Sequence, residues 1–276
     1  MAFKIEDLDE TRAPLLDHLI ELRTRLVRSV IALLIGFAVC LYFAERILGF
    51  LVQPLKDAFP EGEGQLIFTE LPEIFFVELK VALFAGFMVS FPIIANQLWA
   101  FVAPGLYARE KKAFLPFLIA TPILFIGGAA LAYYVVMPTA FMFFLGYGGE
   151  TGGLSVQALP SAGRYLSLVM QFILAFGVTF LLPVLLMLLH RAGIVSRSQL
   201  AGARRYVIVG VVALAAIVTP PDPGSQVILA VPLLLLFEGS LLLMLVQERG
   251  MGRRKAGKAE KPEDSADTGD AREGQG

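Results

Sequence analysis

The chain has 276 residues, of which 57% are hydrophobic and 17% are charged, and its mean hydropathy is +0.71. Soluble domains of this size are nearer half apolar and a quarter charged, so this composition excludes a water-soluble domain. It predicts an integral membrane protein. The net charge of −1 says little as a sum, and the single cysteine, Cys40, excludes an intrachain disulfide framework.

The N-terminal segment, residues 1–25, has the period of an amphipathic helix. Its apolar positions recur every three or four residues at Leu15, Leu19 and Leu22 and continue to Leu26. This pattern predicts an interfacial helix that leads into the first membrane span. Glu21 and Arg25 are four residues apart, so their side chains can pair along the helix. Several acids in this segment are untypical of a cleavable signal peptide.

Six apolar stretches are predicted to cross the membrane within a domain of residues 26–248. They are residues 28–44, 75–98, 114–136, 165–189, 206–218 and 227–246. The fifth corresponds to only about 20 Å of helix, which is short for a bilayer. We therefore expect an all-α fold with six transmembrane helices, of which the fifth and sixth are short. The strip TPPDPGSQ between them should lie in the membrane plane or in a thinned region.

Lys and Arg are distributed asymmetrically between the predicted loops. Most of them fall in the N-terminal segment, the second and fourth loops and the C-terminal tail, whereas the two long loops at 45–72 and 137–164 contain few. The positive-inside rule then places both termini in the cytoplasm. The tail, residues 249–276, lacks aromatic residues and is predicted to be disordered.

The sequence lacks the motifs of several enzyme classes. It has two histidines, His18 and His190, so a pair of zinc-binding histidines on one helix face is absent. Neither a G-x-S-x-G motif nor a P-loop occurs. We therefore predict that the protein is not an enzyme and needs no metal or other cofactor.

Five polar residues within or beside the spans require an explanation, because charge at bilayer depth is costly. Glu78 and Lys80 lie in the outer part of span two, where they either reach the interface or pair, or else face a functional groove. Glu238 lies deep in span six and is either protonated and hydrogen-bonded or part of a polar interior surface. Asp222 can cap the start of span six, and Gln226 can bond the hairpin backbone or a partner helix.

A charged strip, FVAPGLYAREKK at 101–112, interrupts the apolar sequence between spans two and three. Pro104 is expected to end the helix, and Tyr107 is suited to anchoring at the interface. The bases agree with a cytoplasmic loop. Glu110 is the one acid in the strip, and from the residues alone a local salt bridge is its simplest role.

Three motifs together resemble one family. HLIELRTRL at 18–26, WAFVAPGLYAREKK at 99–112 and TPPDPGSQ at 219–226 resemble, in order and in predicted location, the TatC family. TatC is the polytopic core subunit of twin-arginine protein translocases. AFGVTFLLPV in span four and FEGSLL in span six match further family segments, and the resemblance covers about residues 14–248.

The resemblance implies binding of the twin-arginine signal peptides of folded precursors at the cytoplasmic face of the membrane. It assigns the acids Glu21 and Glu110 to that site, with Phe101 shaping the same patch. Carboxylates suit this task because they accept bidentate hydrogen bonds from guanidinium groups. The other candidates for signal-peptide binding are Arg23, Pro104 and Tyr107.

The resemblance also implies TatA- and TatB-type single-span partners, other TatC copies, surrounding membrane lipids and the proton-motive force. The implied location is the bacterial cytoplasmic (inner) membrane, and no nucleic acid is involved. The candidates for partner-helix or structural roles are Pro54, Glu78, Lys80, Asp222, Gln226 and Glu238.

One departure concerns span four. Many family members have Glu or Gln before its proline, whereas this chain has Leu181 and Leu182. A polar contact from span four to a partner helix is therefore in doubt. The alternative class is a secondary transporter or channel for a small solute, in which Glu78, Lys80, Asp222 and Glu238 would form a buried relay.

Overall fold

The computed structural model describes residues 6–59, 64–106, 115–151, 154–156, 158–191, 193–218 and 223–259. Ten α-helices and one short hairpin are found in these ranges. The longer helices are α1 (Glu6–Tyr42), α3 (Glu73–Leu106), α4 (Leu115–Leu131), α6 (Ala162–Thr179) and α10 (Pro223–Ala259). The shorter ones are α2 (Ala44–Ala58), α5 (Met137–Leu145), α7 (Leu182–Arg191), α8 (Arg197–Gly202) and α9 (Arg204–Val218). The hairpin pairs β1 (Gly149–Thr151) with β2 (Leu154–Val156).

Five helical segments of the described chain are long and apolar enough to cross a membrane. They are His18–Tyr42, Glu73–Phe101, Pro116–Leu145, Ala162–Arg191 and Gln226–Val246. The helix predicted as span five is α9, which is short with its 15 residues, as expected. The expectation of a short sixth helix is wrong, because α10 has 37 residues and continues through the apolar run into the basic region beyond it.

Both long loops contain helices that the sequence interpretation did not predict. Within 45–72, α2 is strongly amphipathic and buries Leu51, Pro54 and Leu55. Within 137–164, α5 continues α4 through a π-helical turn at Ala132–Val136. The two helices pack against each other, because each alone would leave an apolar face exposed.

Pro54 leaves a backbone carbonyl of α2 free to accept a hydrogen bond from the rest of the bundle. A proline has no N–H, so the carbonyl of Phe50, four residues earlier, loses its helical donor. Tyr133 replaces the missing backbone donor, since its hydroxyl donates to the Phe50 carbonyl at 2.6 Å. The Tyr165 hydroxyl donates to the neighbouring Leu51 carbonyl at 2.8 Å. Two tyrosines thus fix α2 to α4–α5 and α6.

The main core surrounds α6, where Val169, Phe172 and Phe176 are fully buried. The fourth apolar segment is divided into α6 and α7 at Phe180 and Leu181. Pro183 accounts for the division, because it cannot donate to the Thr179 carbonyl.

Helices α1 and α3 cross closely and run antiparallel. A Cβ atom added to Gly86 would lie 2.6 Å from the backbone nitrogen of Phe37, so only glycine permits this approach. At the same crossing, the Ser90 hydroxyl donates to the Ala32 carbonyl at 2.8 Å. The N-terminal half of α1 therefore lies along the C-terminal half of α3.

The C-terminal boundary differs from the expectation of a disordered tail beginning at 249. Helix α10 continues to Ala259, where the Arg, Lys and Ala residues favour a helix and outnumber the three glycines that oppose it. Residues 260–276 lie outside the described residues.

Candidate functional site

The antiparallel packing of α1 and α3 brings two of the predicted site residues to one end of the bundle. Phe101 lies in the penultimate turn of α3, and its ring stacks on His18 of α1 with centroids 4.2 Å apart and planes inclined by 14°. Glu21 follows His18 one turn along α1, with its Oε2 3.9 Å from His18 Nδ1. Glu21, His18 and Phe101 form one patch, which we call the α1–α3 patch.

Glu21 is already engaged in the α1–α3 patch. Its Oε1 accepts hydrogen bonds from Arg25 Nε at 2.9 Å and Arg25 Nη2 at 2.5 Å, which confirms the pairing expected from the four-residue spacing. The Glu21 side chain keeps 35% of its surface exposed. A carboxylate that holds one guanidinium and remains accessible is suited to exchange it for another.

Gln97 was not identified from the sequence, and it adds an acceptor beside the α1–α3 patch. It lies one turn before Phe101 on α3 and hence on the same helix face. Its Oε1 is enclosed and accepts no hydrogen bond from any described residue. Buried polar atoms usually have partners, so this oxygen is an exception among the described residues. An amide within an apolar helix was the available sequence signal.

For the other residues predicted to bind the signal peptide, the structure shows no contact with the α1–α3 patch among the described residues. Arg23 is exposed on α1. The prediction that Pro104 ends the helix is wrong, because α3 continues to Leu106. Near a helix end a proline forfeits a single backbone bond, so the helix tolerates it there. Tyr107 and Glu110 lie outside the described residues.

The hairpin of α9 and α10 gives Glu238 an ionic partner. Arg204 at the start of α9 contacts both of its carboxylate oxygens, with Nε–Oε1 and Nη2–Oε2 distances of 2.9 Å. Both side chains are about half exposed. Because α9 is short, its first residue reaches the level of Glu238, so the acid has an ionic partner. The sequence left two roles open for Glu238, a hydrogen-bonded acid or part of a polar interior surface, and the structure places its carboxylate, about half exposed, against Arg204.

Two further polar positions differ in how the structure places them. The Gln226 amide donates to the Val212 carbonyl at 3.3 Å, so it bonds the hairpin backbone, one of its two expected roles. Asp222 lies outside the described residues.

Glu78 and Lys80 lie on α3. Glu78 is half-buried and Lys80 is exposed, and among described residues neither forms an ion pair. Among the described residues, Glu78, Lys80 and Glu238 are therefore not joined to one another by ion pairs.

Glu73 is a second residue missed from the sequence. Its Oε1 accepts from the Ser161 hydroxyl at 2.6 Å and the Gly163 amide at 2.8 Å, and its Oε2 accepts from the Thr69 amide at 2.6 Å. One carboxylate thus joins the start of α3, the segment before it and the start of α6. The sequence showed only an acid at the start of an apolar run.

Leu181 lies where the family resemblance led us to expect a polar residue. It packs with the cluster of Phe91, Ala95 and Phe125, in which Phe91 and Phe125 stack at 3.7 Å. An apolar residue suits this environment, because a carboxylate there would lose its hydration.

The five long apolar helices among the described residues define a multi-pass membrane protein. The family model described as Sec-independent protein translocase protein (TatC) matches residues 17–232, and the chain belongs to this family. It is therefore a component of the Tat protein translocase, a membrane transport protein and not an enzyme.

Relatives and solved structures agree with this membership. The TatC protein of Magnetococcus marinus is 48% identical over 90% of this chain and 88% of its own length. The TatC protein of Escherichia coli is 40% identical over 83% of this chain and 87% of its own length. A crystal structure of the twin-arginine translocase receptor TatC in DDM superimposes with a TM-score of 0.72 at 41% identity, covering 82% of this chain and 98% of that one.

Proposed function

We propose that this chain binds twin-arginine signal peptides at the α1–α3 patch, with Glu21 and Glu110 as arginine receptors. The observation that supports the proposal most directly is that His18 contacts both Glu21 on its own helix and Phe101 on α3, two helices that are far apart in the sequence. An accessible carboxylate next to an aromatic ring suits a guanidinium, which bonds the first and stacks on the second.

The proposal includes six spans with both termini in the cytoplasm of a bacterial cell. Helix α9 is the fifth span, although it is short, and two polar contacts to α10 support it along its length. The α1–α3 patch then faces the cytoplasm, where folded precursors are present. The surrounding bases would repel a pair of arginines, so the two carboxylates provide local complementarity.

The proposal also includes TatA- and TatB-type single-span partners, other TatC copies and transport driven by the proton-motive force. The α9–α10 hairpin is the proposed docking region, with Asp222 and Gln226 near one end and Glu238 near the other. Glu238 and Arg204 are half exposed as a pair, so a polar group on a partner helix can reach them.

Photo-crosslinking from position 101 in the inner membrane tests the signal site. We expect a twin-arginine precursor to crosslink at this position and a twin-lysine precursor to crosslink far less, because lysine lacks the planar fork of donors. Position 119, an exposed residue on the apolar surface of α4, is the control.

The double variant Glu21→Gln with Glu110→Gln tests the carboxylates. We expect at least a tenfold loss of precursor binding, since two charge-assisted bonds are weakened. Glu45→Gln changes an exposed acid on α2 and should leave binding unchanged. Equal binding by the double variant and the unmodified chain would show that other groups receive the arginines.

A further inference from the structure

A groove of about 360 Å³ lies between α4, α7 and α10. Its floor is apolar and includes the buried Phe117 and Val184, and its open side is bordered by the exposed Leu235 and Leu243. From Pro116 to Leu124 it follows α4 for about 12 Å, which approaches the depth of one bilayer leaflet. The groove is therefore a slot in the apolar surface of the bundle.

One guanidinium lies at the end of this slot. Arg191, the last residue of α7, lines the groove, and its Cζ is 5.9 Å from the centroid of the Phe117 ring. A guanidinium has five N–H donors, so it can hold a phosphate oxygen together with other contacts. An apolar slot with a cation at its interfacial end matches an acyl chain with an anionic headgroup.

A partner helix fits this groove less well than a lipid does. An α-helix is about 10 Å wide, and an apolar partner helix offers no negative charge to Arg191 at the end of the groove. An acyl chain is thinner and can enter it along its length. We propose that the groove binds one anionic phospholipid, with an acyl chain along Phe117 and Val184 and the phosphate on Arg191.

The single tryptophan gives a direct measurement. Trp99 packs against the cluster that contains Phe117 and Val184 of the groove floor, and its Nε1 donates to Thr121 Oγ1 at 2.8 Å. Bromine on an acyl chain quenches indole fluorescence over a distance of several ångströms, so Trp99 reports on a chain that lies on the other side of these residues. In micelles of the purified full chain, we expect brominated phosphatidylglycerol to quench Trp99 at about fivefold lower mole fraction than brominated phosphatidylcholine.

Two substitutions locate the lipid. Gly239 lines the groove, and a Cβ atom there would meet nothing within 4 Å, so Gly239→Leu places a side chain in the slot with no conflict at its Cβ. We expect it to remove most of the quenching by both lipids. Gly127→Leu is the matched control, since Gly127 also has open space but lies outside the groove lining.

Arg191→Gln should abolish the preference for phosphatidylglycerol while quenching by phosphatidylcholine remains. Arg205→Gln, an exposed base on α9, should keep the preference. Equal quenching by the two lipids in the unmodified chain, or unchanged quenching in Gly239→Leu, would overturn the proposal. Loss of quenching on adding a purified single-span partner would instead assign the groove to a protein helix, and loss on raising the concentration of the chain would assign it to a second copy.

Discussion

At the scale of single residues, the α1–α3 patch contains an internal competitor for its proposed ligand. Arg25 presents to Glu21 the same guanidinium that a signal peptide would present. Helical pairs four residues apart contribute only about 0.3–0.5 kcal/mol, so an incoming arginine can displace Arg25 at small cost. The pairing holds the carboxylate in one orientation in the absence of a ligand.

Replacing Arg25 should therefore strengthen binding. We expect Arg25→Gln to lower the Kd for a twin-arginine peptide by about twofold, the equivalent of the lost pair. Titration calorimetry with the purified chain measures this change. Arg28→Gln removes the same charge from an exposed position one turn along α1 and is the control. Weaker binding by Arg25→Gln than by Arg28→Gln would mean that Arg25 itself contacts the peptide.

At the scale of elements, the crossing of α1 and α3 determines whether the patch exists. Gly36 and Gly86 face each other there, and a Cβ atom on either would lie within 2.8 Å of backbone atoms of the opposite helix. Backbone cannot move aside as a flexible side chain can. The distance between the helices at this point sets the distance between His18 and Phe101 at the end of the bundle.

We expect Gly86→Ala to destabilise the protein by about 1–3 kcal/mol through overpacking, despite the better helix propensity of alanine. The thermal midpoint in detergent measures this change. Gly127→Ala on α4 has the same chemistry but open space around the new Cβ, so it should be neutral or slightly stabilising. If both variants had the same midpoint, the close crossing would not limit stability.

At the scale of the whole molecule, the number of spans depends on α9: the protein has six spans if this short helix crosses the membrane and five if it does not. Five segments have the length and composition of a span, and α9 has 15 residues, or about 22 Å. A short span is tolerated where the bilayer thins or where neighbours bond its backbone. Gln226 bonds the Val212 carbonyl of α9, which supports a crossing helix.

Cysteine labelling of intact cells distinguishes the two arrangements. In a Cys40→Ala background, we expect an impermeant maleimide to label Leu71→Cys and Gly224→Cys from outside, and Ser198→Cys only after the membrane is permeabilised. All three positions are exposed. Labelling of Gly224→Cys and Ser198→Cys from the same side would mean that α9 does not cross.

The sequence by itself determined the class of protein, most of the helices, the family and the pairing of Glu21 with Arg25. These features depend on composition, on helical period and on residues close together in the chain, all of which are local. It failed for α2 and α5, because their amphipathic faces are buried only against each other and against the bundle.

Only the tertiary structure decided which distant residues meet. His18 stacks on Phe101, Arg204 pairs with Glu238, and Glu73 joins the starts of α3 and α6. In each case the partner is set by helix packing, and no short-range pattern encodes it. Pro54 shows the same physics: its missing N–H is visible in the sequence, but the hydroxyl that bonds the freed Phe50 carbonyl comes from Tyr133, a residue far along the chain.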